Sequence, residues 1–482
     1  MNILMATSEF SPLGSTGELG DQVRVLTTEL KKLGHDVSVV MPFYRSVREG
    51  KYDVRPSNGE FQVNLGGKRA SSDILETTTP DGIHVYLIRR DEYFDRSGIY
   101  GGDGRIYEDN AERFIFFSKA VLELAQRVSP SPELIHSHDW TSALIPVFVR
   151  DRQMPFRTVL TIHNLEHQGS FWSFDFALTG LPGSYFGPLG LEFYGRLNFL
   201  KGGILFADAV TLPGEAALFE AFTQQHGFGL DSVLQENRFR LYGIPHGVDY
   251  SQTNPPLDKL VSKRPKAESS NGKSTGRQAL LEQLELERKP NGIVLNLPIE
   301  ANDPGAFGSM KPIVDLVLTS DTCLVVTGKG PDEDLAEIII AERKYPTRFA
   351  YRPEPDAKLH QLGLAGADVV LLPSSLGFRG TNAIAAMRYG TLPIVKTHGG
   401  VHQLVSDYDS ATDSGCGFIY NDHSKMALWD SIRRANHLYR RPNEWKKLSE
   451  RAKILDFSWT ESAKAFVKLY ANLLRHRQPS PA

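Results

Sequence analysis

The strongest constraint on the fold is a periodicity that the chain runs through twice. In the first half Asn2–Ala6 reads as a buried strand, Gly20–Leu33 as an amphipathic helix and Asp36–Met41 as a second strand. Further short apolar runs follow at Leu134–His136, Thr158–Ile162, Ala209–Leu212 and Leu241–Ile244, each closed by a turn or loop. Strands that alternate with helices predict an open parallel sheet covered on both faces. The polar, Pro-, Ser- and Lys-rich stretch Pro255–Ser274 interrupts the series and reads as a linker. A second series then begins: Ile293–Leu297, Thr322–Thr327, Phe349–Tyr351, Val369–Leu372 and Leu392–Val395, closed by an amphipathic helix over Ser458–His476. The expected organisation is an α/β domain over residues 1–252, a linker over 253–290 and a second α/β domain over 291–456. A terminal helix over 457–482 is expected to return to the first domain. In such folds ligands sit outside the carboxyl ends of the strands, here in a cleft between two similar domains.

Composition narrows the function. With 482 residues the chain is long enough for two or three domains, each able to bury a full core, and its net charge of −3 gives no electrostatic reason to expect nucleic acid or an anionic membrane as partner. No apolar stretch reaches the roughly 18 residues a membrane span needs. The opening MNILMATSEF has no basic region ahead of an apolar run, and two cysteines, Cys323 and Cys416, make no disulfide framework. A cytoplasmic protein is the expectation.

Several local patterns invite a chemical reading. Gly14, Gly17 and Gly20 follow the first strand and open the first helix, where glycines let backbone approach an anion and the helix N-terminus favours one. A tight strand-to-helix turn is the plainer reading. NAD is disfavoured because Met41 and Pro42 stand where a dinucleotide site wants an acid at the end of the second strand. The run Gly272–Thr275 (GKST) imitates the end of a phosphate-binding loop, but Ala267 stands at the required first glycine and no strand precedes it. His136 and His138 alternate along one strand and point the same way, with Asp139 directly after them. No third ligand converges by sequence, so no metal site is expected.

The motifs also carry a resemblance. SEFSPLGSTGELGD (Ser8–Asp21), DNAERFIFFSKAVLEL (Asp109–Leu124), HSHDWTSALIP (His136–Pro146), TIHNLEHQG (Thr161–Gly169), LEFYGRLNFLKGGILFADAVT (Leu191–Thr211), GFGLDSVL (Gly227–Leu234), IPHGVDY (Ile244–Tyr250), MRYGTLPIVKTHGG (Met387–Gly400) and DFSWTESA (Asp456–Ala463) occur in this order. Together they resemble the bacterial glycogen synthases and plant starch synthases. The resemblance implies a GT-B fold of two Rossmann-like domains and a retaining transfer of glucose from ADP-glucose (or another nucleotide sugar) to the non-reducing end of an α-1,4-glucan. It implies no metal or other cofactor, since lysine, arginine and helix N-termini stabilise the departing diphosphate. By the same resemblance His163 and Asp21 are the retained catalytic candidates. Gly17, Arg379, Gly399 and Gly400 fall on the donor side, and Tyr100, Asp109, Asn110, His138 and Asp139 on the acceptor side. Asn164, Arg196 and Asn198 also match the family. A strand-end histidine that caps backbone groups is the alternative reading of His163.

The departures from the family fall on the donor side. Where the family has Lys-Thr-Gly-Gly-Leu, this chain has Ser15-Thr16-Gly17-Glu18-Leu19, so a cation becomes neutral and a glycine becomes an acid. A carboxylate about 4 Å from a phosphate costs on the order of 4 kcal/mol at an effective dielectric near 20. Asn296 and Ala301 stand for the arginine and lysine of the second domain, and Pro290–Met310 contains no Lys or Arg at all. Gly377 replaces the glutamate at the reaction centre, while Arg379 is a new cation in that loop and Lys396 a second candidate. Each lost charged group costs about 10²–10³ in rate where it has been measured elsewhere. The expectation is a glycogen-synthase-like protein with transfer abolished or severely slowed. Two alternatives stand beside it: an active glucan synthase with an altered donor site, and a non-catalytic glucan-binding partner of an active synthase. A phosphorylase would need a pyridoxal lysine, for which no motif is evident.

Overall fold

The computed structural model describes residues 1–102, 104–247, 270–287, 290–299, 304–373, 381–397, 404–421 and 426–475. Ala301, Gly377, Arg379, Gly399 and Gly400 lie outside the described residues. The chain divides into two compact units, Met1–Gly247 with Trp459–Ala482, and Val248–Ser458.

The first unit is built on a nine-stranded sheet. Its strands are β1 (Asn2–Ala6), β2 (Asp36–Pro42), β3 (Arg55–Leu65), β4 (Lys68–Thr78), β5 (His84–Arg89), β6 (Leu134–His138), β7 (Arg157–Thr161), β8 (Ala209–Leu212) and β9 (Leu241–Gly243), in the order β9-β8-β7-β6-β1-β2-β5-β4-β3. Six consecutive pairs, from β9 to β5, run parallel. β1 and β6 are buried almost throughout and contain runs such as ILMA, as a strand covered on both faces requires. β4 instead alternates buried and exposed residues and joins β3 and β5 antiparallel, the pattern of a sheet with one solvated face. This antiparallel extension is absent from the sequence-based expectation.

Helix α1 (Leu19–Lys32) buries Val23, Leu26, Thr27 and Leu30, one stripe at helical spacing, and ends on Lys31 and Lys32, where cations complement the helix dipole. Helix α2 (Asn110–Ala125) is buried nearly all round. Helix α3 (Phe199–Phe206) starts at Asn198, whose side chain accepts the Lys201 N–H.

The second unit carries a six-stranded, all-parallel sheet: β10 (Val294–Pro298), β11 (Cys323–Thr327), β12 (Phe349–Arg352), β13 (Val369–Leu372), β14 (Leu392–Lys396) and β15 (Phe418–Tyr420), in the order β12-β11-β10-β13-β14-β15. The stretch expected as a linker contains helix α4 (Ser270–Gln283), because Leu280, Leu281 and the following Leu284 and Leu286 supply an apolar stripe beyond its polar start. It packs on α5 (Ala357–Gly366) so closely that a Cβ on Gly366 would fall 2.6 Å from the Gly276 carbonyl oxygen. Lys273 of the GKST run donates to the Ala365 carbonyl at 2.8 Å and also to Ala367 O and Thr391 Oγ1, so its ammonium caps the end of α5.

The last helix, α6 (Trp459–Arg475), belongs to the first unit. Trp459, Ala463, Phe466, Leu469 and Tyr470 join its core. Thr460 donates to Glu29 of α1 at 2.6 Å, and Ser462 donates to the Pro245 carbonyl at 2.6 Å.

Candidate functional site

Neighbouring strands β6 and β7 place their ends side by side, with His138 paired to Thr161 in the parallel register. Residues two apart on a strand share a face, and the rings of His136 and His138 lie 4.2 Å apart. His163, just past β7, has its Nε2 3.0 Å from His138 Nδ1 and its Nδ1 2.7 Å from Gln22 Oε1 of α1. With the Gln22 oxygen as acceptor, His163 donates through Nδ1 and accepts through Nε2 from His138. That leaves His138 Nε2 as a bare lone pair, and this atom is buried without a partner among the described residues. His136 meets Thr161 Oγ1 at 2.6 Å and the Tyr470 hydroxyl at 2.8 Å. His246 closes the series, 5.0 Å ring to ring from His163 and stacked on Trp459 at 5.4 Å.

Electrostatics keep this row of imidazoles neutral. Burial pushes His136 down to about 3 and His246 to about 4. His138 and His163 are driven well below the ordinary range by burial and then by their imidazole neighbours. Asp139 goes the other way: burial raises its carboxyl to about 7 although the His163 and Asn164 amides donate to it at 2.7 and 3.3 Å. Its backbone sits at φ 57°, ψ −175°, a strained conformation for a residue with a Cβ. Asp139 thus orients the turn that carries His163, and both ring nitrogens of His163 are engaged within the chain.

The glycine loop is organised around a carboxylate. Glu9 is buried and accepts the Thr16 N–H at 2.6 Å, the Thr16 hydroxyl at 2.9 Å, the Ser15 hydroxyl at 3.3 Å and the Tyr100 hydroxyl at 2.6 Å. Tyr100 also meets Ser8 at 2.8 Å, and burial followed by the Glu9 charge raises its hydroxyl well above the ordinary value. The loop amide that could face an anion is therefore taken by one from the chain itself. The single Ser15 hydroxyl hydrogen is shared with the Gly17 carbonyl, the nearer acceptor at 2.6 Å, and Glu18 is exposed at the start of α1. A Cβ at Gly17 would meet nothing within 4 Å, whereas one at Gly20 would lie 2.9 Å from Ser15 Oγ; packing requires the glycine only at the second position.

The remaining expected residues separate. Asp109 is held by both terminal nitrogens of Arg96, at 2.8 Å in the NH1 contact. Asn110 is buried, donating to the Tyr100 carbonyl at 2.9 Å and accepting from Arg113 at 2.5 Å. Both tie α2 to the Tyr100 loop. Asp21 is exposed in the first turn of α1, with no hydrogen bond or ion pair to a described residue. Asn296 is buried in β10, its Oδ1 without a partner among the described residues and its amide against Gly363 of α5. Glu9, Gln22 and His246 were not among the expected site residues. The first two lie within the quoted Ser8–Asp21 motif or one residue past it, and His246 within IPHGVDY. A polar residue at an apolar position of α1 was the available signal for Gln22.

Two α/β units, one on a largely parallel and one on an all-parallel sheet, are the architecture of the GT-B glycosyltransferases, and the likeness to known proteins assigns the chain to that class. Residues 2–236 match the starch synthase catalytic domain family, and residues 306–453 match the glycosyl transferases group 1 family. The chain is 33% identical over 476 residues to a glycogen synthase of Syntrophotalea carbinolica, covering 98% of both chains. It is 34% identical over 491 residues to one of Koribacter versatilis, covering 100% of both. The catalytic domain of starch synthase IV from Arabidopsis thaliana, solved bound to ADP and acarbose, superposes with a TM-score of 0.77 at 25% identity over 98% of this chain and 99% of that one. The chain belongs to the glycogen synthase family.

Proposed function

We propose that this chain recognises α-glucan and a nucleotide sugar as its family does, but transfers glucose slowly or not at all. The observation that carries this reading is the Glu9-centred loop. The backbone amide and the hydroxyl of Thr16 already serve an internal carboxylate, and the first side chain at the start of α1, Glu18, is another acid. A diphosphate approaching the loop meets negative charge where the family supplies a lysine, and transition-state stabilisation by preorganised cations is the largest single term in such transfers. Asn296 adds support. It stands for the family's arginine, and it is buried and neutral within the second core. The imidazole row around His163 and Asp139 matches the family, as do Arg196 and Asn198, so the reading separates retained sugar recognition from lost phosphate chemistry.

A second reading, an active synthase with an altered donor site, is favoured by Lys329. This exposed cation follows β11 at the carboxyl end of the second sheet, where ligands of open parallel sheets bind, and it makes no ion pair with a described residue. Release of nucleoside diphosphate from ADP-glucose and UDP-glucose, with glycogen as acceptor and an active synthase as control, decides between the two. The expected result is release at least about a hundredfold below the control. Release near the control rate, abolished by Lys329→Ala, would establish the second reading and end the first.

A further inference from the structure

Beyond the strand-end residues, the first unit carries a set of large aromatic side chains that are exposed. A small antiparallel sheet of Ser170–Phe171, Arg196–Asn198 and Glu192–Phe193 follows His163 in the chain, with Arg196–Asn198 in the middle. Phe171 pairs with Leu197 and Phe193 with Arg196, so Trp172 and Tyr194 both leave the sheet at its Arg196 end. Tyr194 sits in the turn that joins the Glu192–Phe193 strand to the central one, so between one and two strand spacings, roughly 5–10 Å, separate the two residues. Trp172 is 65% exposed, Phe174 70% and Tyr194 84%. The Trp172 and Phe174 rings lie 4.5 Å apart, and those of Phe193 and Tyr194 4.6 Å apart.

The strands beneath these rings are tied to the core. Phe171 packs on Trp140 and Phe199 at 5.7 and 4.9 Å, and the buried ammonium of Lys201 donates to the carbonyls of Pro188 and Glu192 at 2.7 and 2.5 Å. Phe228, 49% exposed, is held at φ 49°, a strained backbone for a bulky residue, and the Gln168 amide donates to its carbonyl at 2.9 Å. Strain of this kind persists where the surroundings enforce it and gathers at ligand sites.

We infer that this face binds α-glucan through ring stacking, with Trp172 and Tyr194 as the two principal platforms. The inference rests on the reading that α-glucan is this chain's ligand and adds where part of the polymer is held. The chemistry of the face favours a sugar chain over other occupants. The exposed rings stand among hydrogen-bonding groups and not in a continuous aliphatic patch: the Arg196 guanidinium donates to Ser170 Oγ at 2.9 Å and to its carbonyl at 3.0 Å, and Glu192 accepts the Gly195 N–H at 2.8 Å. A glucose ring presents a C–H face to an aromatic ring and hydroxyls around its edge, which suits rings separated by polar groups. An anionic polymer would want a cluster of cations, and a protein interface a closed apolar centre.

The test is calorimetric titration of maltoheptaose and of glycogen into the full chain without nucleotide. Trp172→Ala and Tyr194→Ala are each expected to weaken binding about tenfold, while Trp172→Phe and Tyr194→Phe stay within about threefold of the original. Because both residues are exposed, thermal melting should not change; if an alanine variant does melt lower, Trp172→Ser with Phe174→Ser serves as the second probe. Alanine variants that bind as tightly as the parent would overturn the inference and leave the proposed function standing. No binding of either glucan by the parent chain would overturn the inference together with the glucan half of that reading, whatever the diphosphate-release assay gives.

Discussion

Acidification should loosen the first unit, and Asp139 should resist it. An unfolded histidine titrates near 6.5, whereas His136 and His138 stay neutral when folded to far lower pH. Below 6.5 the unfolded chain therefore binds more protons, so stability is whole above that value and falls with pH. Between pH 7.5 and 5.5 each such histidine removes about 1.4 kcal/mol, and this pair about 3 kcal/mol. His163 and His246 keep part of their surface in water, so their joint share lies between zero and about 3 kcal/mol. Asp139 has the opposite sign. Its carboxyl moves from an ordinary 3.8 to about 7, so the folded chain binds its proton first, and its contribution is complete at low pH and lost as pH rises through 7. Asp139 also keeps part of its surface in water, so over the same interval of acidification it returns up to about 2 kcal/mol.

The net expectation is a loss of about 1–5 kcal/mol between pH 7.5 and 5.5. Asp139→Asn keeps an oxygen for the His163 and Asn164 amides but removes the titration, so its loss should rise to about 3–6 kcal/mol. Hydrogen-exchange mass spectrometry on peptides from β6, β7 and α6, corrected for the intrinsic pH dependence of exchange, reads the first unit separately from the second. Equal protection at both pH values, or an acid loss in Asp139→Asn no greater than in the parent, would refute the assignment of these protonation states.

Three further perturbations address the loop, the terminal helix and the GKST run. Tyr100→Phe deletes one of the hydroxyl donors to buried Glu9 and should cost about 1–3 kcal/mol in urea denaturation. Trp459→Ala removes the ring stacked on His246 and part of the first core, and should lower stability by about 3–5 kcal/mol while exposing α6 to limited proteolysis. Lys273→Met should leave ADP binding unchanged and alter the melting temperature, because its ammonium serves the end of α5; a loss of nucleotide affinity without a change in melting would contradict that role.

Much of the architecture is legible from the sequence because parallel strands buried on both faces leave continuous apolar runs: ILMA in β1 and CLVVT in β11 are visible without any partner. β3, β4 and β5 were not legible in the same way, since their half-buried alternation is broken by polar residues on both faces and register is set by neighbours distant in sequence. Helix α4 was hidden by its polar opening SNGKSTG, which tertiary packing on α5 overrides. In the site, motif order pointed to His138, Asp139 and His163, but no spacing rule reveals that Gln22 on α1 meets His163 across 141 positions. Nor does spacing show that Glu9 is the centre of the glycine loop.

That centre decides how the lost charge is to be understood. Exchanging Ser15 for lysine would restore the family's residue, yet the ammonium would arrive beside Glu9, whose carboxylate already lies 3.3 Å from Ser15 Oγ. An ion pair there would spend the new charge inside the chain and stabilise the loop more than it attracts a diphosphate. Ser15→Lys alone is therefore expected to raise the melting temperature with little gain in ADP-glucose affinity by calorimetry. Joined with Glu18→Gly, which removes the second acid from the opening of α1, it should gain about tenfold or more. Adding Asn296→Arg tests the other unit, where a guanidinium has to leave the buried place that Asn296 now fills; unless β10 and α5 yield, that substitution costs stability first. If Ser15→Lys alone brought full donor affinity, Glu9 would not be the internal counter-charge of this loop, and the account of slowed transfer would lose the observation that carries it.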